Sequence, residues 1–188
     1  HTGSGASGWE PVGGSAGFSA EAVNSPTLAL DNSNKPYIAY EETNDNEATY
    51  RLRLTVMKYN GSDWELVGDR GFSNQFASAP SLAIASDNTP YIGFIDVGNI
   101  ATVMKYTAGS GWQSVGSGLP ATSINAVSLA LDGNDIPYLV YTNSDNKATV
   151  MKLNGSTWEI VGTASFTTSE APQAQLALNG NNAPYIAY

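Results

Sequence analysis

Short apolar stretches and polar turns alternate along this chain in a fixed order. Ser128-Leu-Ala-Leu-Asp132 alternates large and small apolar residues, the pattern of a short strand packed on both faces. Gly133-Asn134-Asp135 supplies turn chemistry, and Pro137 suits the first position of a second strand, where a missing N–H does least harm. Tyr138 to Tyr141 reads as that strand, Thr142 to Lys147 as a polar connection, and Ala148 to Leu153 as a third strand. Asn154-Gly155 is a strong hairpin signal, expected as a type I′ turn, and leads into a fourth strand at Trp158 to Val161. Gly162 to Ala174 is then a long link. No stretch sustains the 3.6-residue period of a helix.

This unit recurs. Val-Met-Lys begins at Val56, Val103 and Val150, an interval of 47 residues each time. Trp-x-x-Val-Gly begins at Trp9, Trp64, Trp112 and Trp158, and Pro-Tyr followed by apolar residues begins at Pro36, Pro90, Pro137 and Pro184. Self-similarity on this scale is the mark of a repeat architecture. Four short antiparallel strands joined by hairpins form a meander whose sheet cannot bury both faces alone; stacking copies around an axis solves that. The expectation is an all-β fold, a β-propeller of four-stranded blades about 47 residues long, about four repeats in this chain, forming an incomplete ring or half of a larger one. In this reading residues 1–8 are a tag and linker remnant. Residues 9–13 are the outer strand of a split blade, 27–68, 80–116 and 127–162 are complete blades, and 174–188 are the first two strands of a further blade.

The chain resembles the β-propeller repeats of secreted bacterial proteins, in the broad company of kelch, sialidase-type and lectin propellers. Of the sialidase Asp-box, Gly155-Ser156-Thr157-Trp158 is present, with Leu153 at the Asp position; Glu41-Glu42 follows Tyr40 where kelch repeats carry paired glycines. The resemblance implies an extracellular or cell-surface location, and glycans as the ligand class if function follows form. Repeated shallow sites would then gain by multivalency.

Charge and composition narrow the partners. The net charge is −9, which disfavours nucleic acid and anionic membrane surfaces, and no apolar run has the length of a membrane span. There is no cysteine, and the single histidine is His1, so thiolate and imidazole chemistry have no basis in the expected repeats. No cofactor is expected. Because an unclosed stack leaves sheet faces and strand edges bare, the chain is expected to self-associate, as a homodimer completing a propeller of about eight blades, or to continue in further repeats.

Candidate sites lie where the period fails. Between Tyr40 and Val56 the link is seven residues longer than in the later repeats. Its residues Glu41, Asp45, Tyr50, Arg51 and Arg53 are the candidate ligand-binding set, a polar patch for a sugar or a carboxylate, with cross-strand ion pairing in solvent as the simpler role. Glu41, Glu42, Asp45 and Glu47 are the only dense acidic cluster, expected on a solvated loop unsuited to general acid catalysis, so no enzyme is expected. Trp9, Trp64, Trp112 and Trp158, with Phe18, Phe72 and Phe166, read as packing between blades. Asp31, Asn32 and Asn34, like Asp132, Asn134 and Asp135, read as Asx turns, because the EF-hand spacing is not met. The reading is thus a non-catalytic extracellular binding module; the alternative is a purely structural array, recently amplified or engineered, which the near-identity of Ala101–Tyr106 and Ala148–Leu153 favours.

Overall fold

The computed structural model describes residues 11–13, 18–19, 23–43, 52–73, 76–121 and 123–188. Asp45, Glu47, Tyr50, Arg51 and Trp9 lie outside the described residues. Among the described residues there are fourteen strands and no helix. The first blade comprises β1 (Val23–Leu30), β2 (Pro36–Thr43), β3 (Leu52–Tyr59) and β4 (Trp64–Leu66). The second comprises β5 (Ser78–Ile84), β6 (Pro90–Asp96), β7 (Ile100–Thr107) and β8 (Gly111–Ser114). The third comprises β9 (Ile124–Leu131), β10 (Pro137–Asn143), β11 (Ala148–Asn154) and β12 (Thr157–Ile160), and β13 (Gln175–Leu178) with β14 (Pro184–Ala187) forms a two-stranded piece. Each sheet is an antiparallel meander in sequence order.

Register follows the repeat. Tyr37, Tyr91 and Tyr138, each one residue into its second strand, face Lys58, Lys105 and Lys152 across the sheet. The hairpin at Asn154 departs from expectation. Asn154 pairs with Thr157, so Gly155 and Ser156 are the central residues, and of these only Gly155 has positive φ, at 61°. That is the pattern of a type II′ turn rather than I′.

Blades stack through their first strands, β1 against β5, β5 against β9, and β9 against β13, which places the fourth strands on the outer rim. Leu82, Ile92 and Phe94 of the second blade pack on Tyr37, Ala39 and Val56 of the first; Leu129 and Leu139 of the third pack on Ile95, Val103 and Val115. Leu176, Leu178 and Ile186 pack in turn on Tyr138 and Val140. The core is therefore a row of seams, one between each pair of blades.

On the face of β2 opposite Tyr37 and Ala39, Tyr40 is buried, 1% exposed, with its ring 5.4 Å from that of Phe18 and its hydroxyl 3.4 Å from Met57 Sδ. Burial, aided by the neighbouring Glu42 carboxylate, pushes the Tyr40 phenol up to about 12. A phenol raised in the folded state holds its proton more tightly there. Its contribution is therefore complete below the unfolded value near 10 and is lost as pH rises through 12. Stability should fall by on the order of 2–3 kcal/mol between pH 10 and 12 from this group. Denaturant titrations at stepped pH should show a shallower alkaline limb in Tyr40→Phe; an identical limb would refute the assignment.

Candidate functional site

Three copies of one device close the stack on its outer rim, and the Trp-x-x-Val-Gly word encodes it. The indole N–H of Trp112 donates to the carbonyl of Val67 at 3.0 Å, and that of Trp158 to Val115 at 2.8 Å. Trp64 does the same to Val12, at 3.0 Å. In every case the tryptophan belongs to one fourth strand and the valine to the preceding copy of the word. The glycine that follows the valine lies under the indole. Gly68 has φ +82° and Gly116 φ +70°, and a Cβ on either would stand about 3 Å from the indole nitrogen. Only glycine combines that backbone with that approach.

The link after the fourth strand is pinned back onto its own blade. Gly71 N–H donates to Thr55 Oγ1, Phe72 N–H to the Leu54 carbonyl, and Leu54 N–H to Ser73 Oγ. Ser165, Phe166 and Thr167 repeat the scheme against Thr149 and Ala148. The phenylalanine is thereby delivered to the next tryptophan: Phe72 stacks on Trp112 with ring centroids 4.5 Å apart at 18°, and Phe18 meets Trp64 at 5.7 Å.

The seam between the first two blades is not fully closed by this packing. It holds a pocket of about 490 Å³ lined by Asp69, Phe72, Tyr106 and Trp112, by Ser110, and by the backbone at Gly68, Gly109 and Gly111. The three aromatic side chains are half-buried and Asp69 is exposed. No basic side chain lines the pocket. The seam between the second and third blades differs: Leu119 and Leu153 stand where Phe72 and Tyr106 stand, and Trp158 is buried.

Glu41 and Glu42 correct the expectation of a solvated acidic loop. Strand β2 continues through Thr43, and both carboxylates are buried. A bulge between Ser78 and Ser81, with Ala79 at φ +51°, presents the Ala79 N–H to Glu41 Oε1 at 2.8 Å. Glu42 accepts from Arg70 Nε at 2.8 Å and Nη2 at 2.6 Å, and from the Thr55 hydroxyl. Glu41 ties the second blade to the first, whereas Glu42 ties the link after β4 back onto its own blade. Arg53 lies across from Glu42 in register on β3, with its Nε buried. Of the candidate ligand-binding set, the described residues Glu41 and Arg53 thus sit in paired strands, not in an open loop.

The turns between first and second strands are Asx turns. Asp31 Oδ1 accepts from the N–H groups of Ser33 and Lys35, and Asp132 Oδ1 from those of Asn134 and Ile136. Among the described residues no cluster of three or more acids or histidines could hold a metal.

Reading along the sequence missed Asp69, Phe72 and Tyr106 as pocket residues. One signal was present. The residue after the Trp-x-x-Val-Gly word is Gly14, Asp69, Ser117 or Thr163, so only one copy carries a charge.

Stacked four-stranded antiparallel meanders with tryptophan clasps along the outer rim make this an all-β chain of β-propeller blades. No protein-family model matches it, and no curated protein does. Solved structures do. A putative glycosidase from Bacteroides thetaiotaomicron aligns with a TM-score of 0.52 at 11% identity, over 78% of this chain and 52% of that one. An ulvan lyase, a polysaccharide lyase, aligns with a TM-score of 0.51 at 13% identity, over 85% of this chain and 49% of that one. A fucose lectin from Kordia zhangzhouensis aligns at 0.46 and 16% identity, over 74% of this chain and 99% of that one. The chain spans about half the length of the glycosidase and the lyase, and at these identities the likeness is one of fold.

Proposed function

We propose that this chain is a non-catalytic extracellular module that binds a neutral saccharide in the pocket between its first two complete blades. The observation that supports it is the composition of that pocket: Phe72, Tyr106 and Trp112 together with one carboxylate, Asp69, and no basic side chain in the lining. Aromatic rings take the apolar face of a sugar, and a carboxylate accepts strong hydrogen bonds from its hydroxyls. A pocket of about 490 Å³ is of the size that holds a small ligand. With an acid and no counter-cation, and a net charge of −9 on the chain, anionic sugars are disfavoured.

The same chemistry argues against turnover. Glycoside hydrolysis uses two carboxyl groups across one bond, and this pocket is lined by one. Glu41 and Glu42 are committed to Ala79, Thr55 and Arg70. In this reading copies of the chain also associate with one another through the ends of the blade stack.

Titration calorimetry against neutral mono- and disaccharides chosen from a glycan array tests the site. Asp69→Ala should weaken binding by about tenfold or more, the worth of a charge-assisted hydrogen bond, with the melting curve unchanged because Asp69 is exposed. Silence across neutral glycans would overturn the saccharide reading. Loss of binding in Arg51→Ala with Asp69→Ala unaffected would move the site to the long link after β2.

A further inference from the structure

The seams are directional, and the two ends of the stack carry complementary halves of one. At the leading end, Leu28 is 64% exposed, whereas its counterparts Leu82 and Leu129 are 7% and 6% exposed beneath the preceding blade. Leu30 is exposed beside it. At the trailing end, Tyr185 is 64% exposed, whereas Tyr138, at the same place in the repeat, is buried under Leu176 and Leu178. Leu28 and Leu30 occupy in their repeat the positions of Leu176 and Leu178. The face that covers Tyr138 inside the stack is therefore matched by the face left bare at its start.

Two further devices end the same way. Across each seam the N–H of the residue after the Asx position donates to an Asn or Asp of the next turn. Asn32 donates to Asn88 at 3.1 Å, Ser86 to Asp135 at 2.7 Å and Gly133 to Asn182 at 3.0 Å. The ladder stops with Gly180 as a donor position at one end and Asn34 as an acceptor position at the other. Asn34 sits at φ +59°, like Asn88, Asp135 and Asn182 at +66°, +61° and +61°. On the rim, Val161-Gly162 repeats the clasp, with Gly162 at φ +77°, but nothing stands within 4 Å of a Cβ placed there, and Phe166 is exposed. The occupant that fits is the tryptophan of another Trp-x-x-Val-Gly word.

We infer that a second copy of this chain docks head to tail on the trailing end. Leu28 and Leu30 of the incoming copy cover Tyr185 and Ala187, and its Asn34 accepts from Gly180. A single placement satisfies both contacts, because each lies one blade beyond β13 and β14 in the repeat. The inference rests on the reading of the chain as self-associating and names the surface. Such a contact uses two different patches, so it closes into a ring or grows as a chain of copies.

Light scattering on the eluting 188-residue protein tests it. The expected result is a mass at least twice 19.7 kDa that falls with dilution. Leu28→Glu with Leu30→Glu should give the single-chain mass, and so should Tyr185→Glu, each with an unchanged circular dichroism spectrum. Mixing the two variants should restore a two-chain species, since each retains the end the other lacks. A mass of 19.7 kDa at all concentrations would overturn both self-association and this surface. A larger mass indifferent to these substitutions, or no recovery on mixing, would overturn the surface alone. If a variant misfolds, concentration-dependent hydrogen exchange in the unaltered chain decides: protection confined to 28–34 and 162–187 supports the contact, and its absence there refutes it.

Discussion

Trp158→Ala should lower the stability of the third blade by about 4 kcal/mol, the largest loss expected from any single side chain in the described stack. Trp158 is 3% exposed, packs with Leu129, Leu139 and Met151, and donates to the Val115 carbonyl at 2.8 Å. Truncation removes the apolar contact, leaves a cavity the neighbouring sheets cannot close, and strips a buried carbonyl of its donor. Trp158→Phe separates the terms. It keeps most of the ring and removes the N–H, so it should cost about 1–2 kcal/mol. Thermal melts followed by circular dichroism should place the alanine variant roughly 10 °C or more below the parent, with the phenylalanine variant between them. Equal losses for the two variants would mean that the hydrogen bond, not the packing, holds the seam.

Gly116→Ala should follow, at about 2–3 kcal/mol. Two costs coincide there. The backbone is at φ +70°, which an L side chain adopts only with strain, and the new Cβ would stand 2.5 Å from Leu153 Cδ1 and 3.0 Å from Trp158 Nε1. Gly155→Ala is the control: φ is +61° and nothing lies within 4 Å, so it carries the backbone cost alone, about 1 kcal/mol. Urea titrations of both should show Gly116→Ala losing at least twice as much as Gly155→Ala. Parity would show that the clasp yields to a methyl group without cost.

Much of this was legible along the chain. The blades follow from hydrophobic alternation and the 47-residue period, and the strand order from the hairpin lengths. The role of Trp64, Trp112 and Trp158 followed from their constant phase. What escaped reading is non-local. Glu41 and Glu42 look like loop residues because the groups that hold them, Ala79 and Arg70, are 38 and 28 positions away. A carboxylate is tolerated in a strand only when such partners converge on it, and no local pattern announces them. The pocket is likewise a difference between seams, Phe72 and Tyr106 against Leu119 and Leu153, which acquires meaning only once the blades are laid side by side.

The clasp also bears on how such a chain can change by duplication. Each blade gives a valine and a glycine to the seam after it and a tryptophan to the seam before it, so every seam is written half in one repeat and half in the next. Copying or deleting one whole repeat within the evenly spaced part of the chain, Pro90 onward, wherever the ends of the 47-residue window fall, therefore returns a chain in which every tryptophan still has a carbonyl to meet. A window there that is not a whole number of repeats puts an indole opposite the wrong strand. The geometry makes whole-repeat copying structurally silent and partial copying ruinous, independent of any selection on binding.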